Sequence, residues 1–70
     1  MTTPGVISLN GERRDWPAPQ SVEHMLVDLG MDGRLVAVEL NRLVVKRSRF
    51  AETLVRDGDE VEIVSFVGGG

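Results

Sequence analysis

The sequence predicts an α+β fold in which one main helix packs across a mixed sheet of four or five strands. Segments typical of short strands lie on both sides of a single long helical pattern, so strands and helices do not alternate regularly. The chain has 70 residues and no cysteine, so one domain must be held together by its aliphatic side chains without disulfides. We therefore expect one small core between the helix and one face of the sheet.

The N-terminal part of the sequence predicts a β-hairpin. Residues 6–9 alternate with the strand period, and Asn10-Gly11 follows them. Both turn residues tolerate the positive φ angles of a type I′ turn. The return strand, residues 12–16, is polar enough to lie at a sheet edge, and two prolines end it because neither can donate a ladder hydrogen bond.

The main helix is predicted to begin after Ser21, whose hydroxyl suits the N-cap position. Four apolar residues then recur at positions i, i+3, i+4 and i+7 and form one stripe: Val22, Met25, Leu26 and Leu29. Gly30 suits the left-handed position that ends a helix. The stripe predicts which face of the helix packs on the sheet.

The second half of the chain predicts three more strands. Residues 35–40 form an apolar run, and a tight turn at 41–42 leads into a short strand at 43–45. Residues 46–54 contain few strand formers and predict a connector with one short helical turn. The last strand, residues 59–66, follows a glycine-containing turn. The predicted order is β-β-α-β-β-β.

These elements divide the chain into a folded domain, residues 1–66, and a flexible C-terminal glycine tail, residues 67–70. The helix stripe and the strand faces that turn toward it predict the core. Its expected members are Leu9, Val22, Leu26, Leu29, Val36, Val38 and Ile63.

The phase of the last strand leaves two interpretations open. If Val61 and Ile63 face the helix, then Val64 and Phe66 lie on the outer face of the sheet, where exposed apolar side chains often mark a binding surface. A β-bulge near Val64 or Ser65 would instead turn the later residues inward. The alternation of the sequence is compatible with both.

Composition and charge argue against several classes of function. The formal net charge of −3 disfavours nucleic-acid binding by phosphate neutralisation. With one histidine and no cysteine, neither a zinc site nor a cysteine–histidine pair is available, so we expect no catalytic residue and no metal site. A basic cluster at Lys46, Arg47 and Arg49 is expected to be a solvated loop, with docking onto an acidic partner as the alternative. No stretch resembles a membrane span or a signal peptide, so a cytoplasmic protein without membrane association is expected.

The sequence closes with three glycines, Gly68, Gly69 and Gly70. Glycine has no side chain to bury and loses the most backbone freedom when it is ordered, so this segment does not serve folding. A backbone without Cβ atoms can pass through a narrow channel and leaves the terminal carbonyl open from either side. The tail therefore indicates chemistry at its carboxylate. The alternative is a frayed terminus without a role.

Several stretches are distinctive in combination, although none is specific alone: residues 21–22, 26 and 29–30 of the helix, residues 36–41, residues 44–45 with Arg47, residues 57–63, and the tail. Together with the order of elements, they resemble the ubiquitin-like β-grasp sulfur carriers, in particular the ThiS type of thiamine biosynthesis. The chain departs from the family pattern at Lys46, where proline is common, and at Arg42, where glycine is common. Both residues lie in connectors, so the departures concern local turn shape.

The resemblance implies a protein co-substrate rather than an enzyme. In the family, a ThiF-type adenylyltransferase, similar to ubiquitin-activating enzymes, uses ATP and Mg²⁺ to convert the last glycine, here Gly70, into an acyl-adenylate. A sulfur donor relay then replaces AMP and leaves a thiocarboxylate, whose sulfur passes to a ThiG-type thiazole synthase. The carrier itself binds no cofactor. With the outward phase of the last strand, the expected partner contacts are Val64, Phe66 and Val67.

Three other functions are compatible with the same residues. The chain could carry sulfur for another pathway, such as molybdopterin synthesis, cysteine synthesis or tRNA thiolation. It could be a ubiquitin-like modifier whose glycine carboxylate is joined to a lysine. It could also be a β-grasp module that binds a partner non-covalently and has an inert tail.

Overall fold

The computed structural model describes residues 5–66 of the chain. The strands are β1 (Gly5–Leu9), β2 (Glu12–Trp16), β3 (Gln20–Ser21), β4 (Val36–Leu40), β5 (Leu43–Val45), β6 (Leu54–Val55) and β7 (Glu60–Ser65). The helix α1 spans Val22–Asp28, and two single-turn 3-10 helices span Gly33–Leu35 and Arg47–Arg49. The short strands β3 and β6 were not predicted, because two residues are too few to show a strand period.

Five strands form one mixed sheet in the order β2-β1-β7-β4-β5. The central strand β7 is parallel to β1 and antiparallel to β4, whereas β1–β2 and β4–β5 are antiparallel hairpins. The strands β3 and β6 pair with each other outside this sheet. The predicted mixed sheet with one main helix is confirmed. Within residues 5–66, no helix has the length and apolar character needed to cross a membrane.

Both hairpins have turns of the mirror-image type. Asn10 and Gly11 have φ angles of 51° and 82°, as the sequence predicted for the β1–β2 turn. The β4–β5 turn contains no glycine, yet Asn41 and Arg42 have φ angles of 52° and 69°. A type I′ turn matches the right-handed twist of the paired strands, which is why the chain adopts it here without glycine.

The N-terminus of α1 is fixed by three hydrogen bonds that satisfy its free N–H groups. The Ser21 hydroxyl accepts a 3.0 Å bond from His24 N, which confirms the predicted N-cap. Val22 N donates to the Thr53 carbonyl at 2.9 Å, and Glu23 N donates to the Phe50 carbonyl at 3.0 Å. The connector after β5 is thereby attached to the start of the helix.

The core lies between α1 and one face of the sheet. Its buried residues are Ile7, Trp16, Val22, Met25, Leu26, Val36, Val38, Phe50, Val55, Val61 and Ile63. Leu9 and Leu29 were predicted to be core residues, but both are only partly buried and pack at its margin. Leu29 is the C-cap of α1, and Leu9 directly precedes the first hairpin turn, so each lies where its element leaves the core.

Trp16, Phe50 and Val55 enter the core from segments that the sequence did not assign to it. Trp16 ends the polar edge strand β2, and its indole Nε1 donates a 2.9 Å hydrogen bond to the Val55 carbonyl. A buried indole N–H needs such an acceptor. This bond links β2 to β6 and closes one end of the core.

Replacing Leu26 with alanine should lower the free energy of unfolding by about 2–5 kcal/mol, because a buried leucine loses its contacts and leaves a cavity. Leu26 is only 2% exposed. Val27→Ala is the matched control, because the neighbouring Val27 is 68% exposed. Urea unfolding of both variants measures the difference. Equal unfolding midpoints for the two variants would contradict this assignment of the buried helix face.

Candidate functional site

The last strand carries the chain from the core toward the glycine tail, and its pairing decides which side chains are presented there. From Val61 to Ser65, β7 pairs with β4 residue by residue, without an extra residue on either strand. Beyond the strand, the Phe66 N–H donates a 2.8 Å hydrogen bond to the Leu35 carbonyl. The antiparallel pattern therefore continues to Phe66, and the interpretation with a β-bulge is wrong.

Strict alternation places the side chains of β7 on two different surfaces. Val61 is fully buried and Ile63 is 7% exposed, whereas Val64 and Phe66 are 58% and 67% exposed. Ala37 of β4 lies directly opposite Val64 on the same outer face. The structure thus places Val64 and Phe66 on the outer face, and their contact with a partner stays a prediction.

The other expected site residues lie outside the described residues: Val67, Gly68, Gly69 and Gly70. Phe66, the last residue that the structure describes, lies at the end of the central strand, beside the 3-10 helix that precedes β4.

The Asn10 side chain extends the pairing between β1 and β7. Backbone pairing of these parallel strands covers only two residues of each. Beyond it, Asn10 N donates to the Val61 carbonyl at 2.8 Å. The side-chain Oδ1 then accepts a 2.7 Å bond from Ile63 N, and Nδ2 donates a 3.2 Å bond to the Ile63 carbonyl. The amide group therefore makes the two bonds that another strand residue would make.

Asn41 has the equivalent role on the other side of β7. Its Oδ1 accepts a 2.9 Å bond from Glu60 N, and its Nδ2 donates a 3.0 Å bond to Asp59 Oδ1. Its backbone N–H also donates to the Glu60 carbonyl at 2.7 Å. The sequence assigned both asparagines only to turns. Their contact with the last strand is seen only once the strand order is known.

The histidine and the basic cluster that the sequence singled out both lie on the surface. His24 is exposed, and its Nε2 lies 3.7 Å from Asp28 Oδ1. In the basic cluster, Arg49 pairs with Glu52 at 3.2 Å on the surface. Among residues 5–66, no group of three or more histidine, cysteine, aspartate or glutamate side chains is arranged to hold a metal ion.

A surface hollow of about 230 Å³ lies between α1 and the loop that follows it, with Leu26 and Phe50 among its lining residues. At its rim, Arg34 donates bonds of 3.1 and 2.7 Å to the two carboxylate oxygens of Asp32. Hydrogen bonds from the Arg34 side chain and backbone lower the pKa of Asp32 to about 2. This exposed pair shapes the loop, since Asp32 also caps the following 3-10 helix.

Comparison with known proteins assigns the family. Residues 7–70 match the model of the ThiS family. The chain belongs to the ThiS family. A crystal structure of the thiamine biosynthesis protein ThiS from Geobacter metallireducens superposes with a TM-score of 0.79 and 37% identity, covering 93% of this chain and 99% of that one. The resemblance to ThiS proteins and the ubiquitin-like β-grasp fold are both confirmed.

Curated relatives are of two lengths. The sulfur carrier protein ThiS of Bacillus subtilis is 32% identical over 66 residues, which cover 93% of this chain and 100% of that protein. A thiazole synthase of Paramagnetospirillum magneticum is 50% identical over 62 residues, which cover 89% of this chain but 19% of that protein. A second thiazole synthase, from Magnetococcus marinus, is matched over 20% of its length. This ThiS-family chain thus spans about a fifth of the thiazole synthases that it matches.

Asn10→Gly should lower the free energy of unfolding by about 1–3 kcal/mol, because glycine keeps the positive φ angle but leaves both polar backbone groups of Ile63 without their partner. Amide exchange at Ile63 should become faster, since its N–H donates to the side chain that is removed. Asn10→Asp keeps an acceptor and loses the donor, so it should fall between the wild type and the glycine variant. Urea unfolding and NMR hydrogen exchange measure the two effects. Wild-type exchange at Ile63 in the glycine variant would refute this role of the side chain.

Proposed function

We propose that this ThiS-family chain is a sulfur carrier of thiamine biosynthesis and that the carboxylate of Gly70 is converted into a thiocarboxylate. The observation that carries the proposal is that the family match covers residues 7–70 and so includes the glycine tail. Similarity to the sulfur carrier protein ThiS of Bacillus subtilis supports the same function. In this role the chain is a cytoplasmic co-substrate, which partner enzymes modify and which binds no cofactor of its own.

The carboxylate has to be activated before it can accept sulfur. The reference pKa of a terminal carboxyl group is about 3.3–3.7, so the group is ionised at neutral pH and is a poor electrophile. In the proposed first step, its oxygen attacks the α-phosphorus of ATP, pyrophosphate leaves, and an acyl-adenylate forms. Mg²⁺ in the partner enzyme neutralises the phosphate charge. Sulfur at the oxidation level of sulfide (HS⁻), supplied by the donor, then adds to the acyl carbon, AMP leaves, and the thiocarboxylate remains.

The geometry suits a substrate that enters the active site of another protein. Phe66 lies at the end of a strand that both neighbouring strands and two asparagine side chains hold in place. Residues 67–70, which follow it in the sequence, are one valine and three glycines. A rigid body can therefore bind the partner while a narrow segment reaches the nucleotide. We propose that the body binds a ThiF-type adenylyltransferase through Val64, Phe66 and Val67.

The proposed acceptor of the sulfur is a thiazole synthase of the ThiG type. Two relatives named thiazole synthase contain a segment similar to this chain, at 50% and 39% identity, as about a fifth of their length. In those proteins a ThiS-like segment and a thiazole synthase are parts of one polypeptide. Physical linkage of this kind supports contact between the two activities, because it raises their effective concentration for each other.

Incubation with ATP, Mg²⁺, the ThiF-type adenylyltransferase of the same organism and a sulfur donor should place first an adenylate and then a thiocarboxylate on Gly70. Intact-mass spectrometry detects both, and the final product differs from the starting protein by one sulfur in place of one oxygen. Deleting Gly69 and Gly70 should abolish the modification, because the new terminus is too close to the body. The thermal melt of the truncated protein should be unchanged, since terminal glycines contribute little to folding.

The same experiment separates the other functions. A ladder of larger covalent species would indicate a ubiquitin-like modifier. A full-length protein that never gains mass with active partner enzymes would contradict the carrier function, and so would a truncated protein that is still modified. Thiocarboxylate formation without sulfur transfer to thiazole synthase would indicate another sulfur acceptor.

Phe66→Ala should weaken binding to the adenylyltransferase by about tenfold or more, as expected when an aromatic side chain that a partner buries is truncated. Its effect on folding should be small, because Phe66 is 67% exposed. Leu43→Ala is the matched control, because Leu43 is 72% exposed on the edge strand β5 and pairs with Leu40, whose side chain is on the core side. Calorimetric titration and urea unfolding of both variants give the two quantities. Equal affinities for the two variants would remove Phe66 from the interface.

A further inference from the structure

The outer face of the sheet carries more than the two apolar residues at its end. We define the outer face as the side of the sheet that points away from α1. The strands β4, β5 and β7 present these residues on it: Ala37, Glu39, Val44, Glu60, Glu62 and Val64, followed by Phe66. Its valine and phenylalanine side chains are 74%, 58% and 67% exposed at Val44, Val64 and Phe66. In the described part of the chain, this face is not covered by the helix or by the small β3–β6 ladder, which contribute to the core on the other side.

Two carboxylates lie directly opposite each other in the middle of this face. Glu39 of β4 is paired in register with Glu62 of β7, and Val44 of β5 is the next residue across the sheet. Like charges in directly opposed positions of antiparallel strands destabilise a sheet. Folding alone therefore gives no reason for this pair.

Neither carboxylate is neutralised within residues 5–66. The ion pairs formed by these residues involve neither Glu39 nor Glu62. The next carboxylate along the strand, Glu60, has Arg42 at 3.5 Å. Among the described strand positions on the outer face, the one cation is Arg13 on β2, and the whole strand β1 separates it from β7. The pair is thus a local excess of negative charge with apolar side chains on two sides.

This arrangement complements a protein surface that carries a cation between apolar groups. When such a surface displaces water from the valines, the effective dielectric constant around the carboxylates falls, and their attraction to a cation increases. An arginine fits two adjacent carboxylates best, because its planar guanidinium has five N–H donors in a fixed geometry. The net charge of −3 on the whole chain would also steer a basic partner surface toward it.

We propose that the outer face docks the adenylyltransferase through a basic side chain of that enzyme, bound between Glu39 and Glu62, and that the apolar contact extends from Phe66 to Val44. The proposal rests on the proposed carrier function and adds the charged centre of the interface to its apolar end. Along β7 the order is carboxylate, valine, phenylalanine and then the tail. The ionic contact would fix the register of β7 on the partner, so that the tail enters the active site at a defined depth.

The test compares Glu39→Gln/Glu62→Gln with the wild-type protein in calorimetric titrations against the adenylyltransferase, at several salt concentrations. The double variant should bind about tenfold more weakly and with a smaller salt dependence, because a desolvated charge pair is lost. Its thermal midpoint should be equal to or higher than that of the wild type, because the repulsion is removed. A loss of binding with a gain in stability is not produced by misfolding.

Glu12→Gln/Glu23→Gln is the matched control. It removes the same charge from exposed residues of β2 and α1, away from the outer face. Val44→Ser tests how far the apolar contact extends across the sheet and should weaken binding without loss of stability.

The proposal is overturned if the Glu39/Glu62 variant binds as tightly as the wild type, if the control weakens binding equally, or if only binding to thiazole synthase is affected. Adenylation of wild-type Gly70 is measured in parallel. If wild-type Gly70 is modified and the double variant binds as tightly as the wild type, this inference alone is overturned. If the wild type is not modified, the carrier function is overturned, and the inference with it.

Discussion

The position of β7 is the constraint on which the rest of the structure depends. It is the central strand of the sheet, with β1 of the N-terminal hairpin on one side and β4 on the other. Its inward residues Val61 and Ile63 are buried in the core, on the side of the sheet that faces α1. Because the parallel β1–β7 pair joins segments about fifty residues apart in sequence, the sheet is completed only when nearly the whole domain is ordered. The segment that leads to the tail is therefore anchored in the core.

Two asparagines make this anchoring possible where backbone pairing ends. Asn10 and Asn41 occupy the same position in two hairpin turns and both have left-handed backbone angles. In each case the side-chain amide bonds to the backbone of β7, at Ile63 and at Glu60. Where the strand beside it ends, a central strand would have backbone N–H and C=O groups without partners, which is costly when those groups are partly buried. The Asn10 amide gives both a donor and an acceptor to Ile63, and the Asn41 amide gives an acceptor to Glu60 N, so the strand is held from both sides.

Features that depend on neighbouring residues could be predicted from the sequence, whereas contacts between distant segments could not. The Asn10-Gly11 turn, the Ser21 cap and the helix stripe follow from rules that involve neighbouring residues, and the structure has each of them. Trp16 was placed on a polar edge strand, because the four residues before it are charged and its burial depends on the distant Val55 carbonyl. The same limit applies to the candidate site. The outward phase of Phe66 depended on the absence of a bulge, which alternation alone does not reveal.

The two faces of β7 allow one short strand to contribute to folding on one side and to the docking that we propose on the other. Successive residues point to opposite sides, so Val61 and Ile63 stabilise the domain while Glu62 and Val64 remain available at the surface. Side chains on the outer face can therefore be unfavourable for folding, as the opposed Glu39 and Glu62 are, without disturbing the core. In the proposed function, the chain has to be released by one partner before the next can act, and an interface with the charged centre that we infer is suited to this. Charge speeds association, whereas the desolvation of the carboxylates offsets much of their attraction and limits the final affinity.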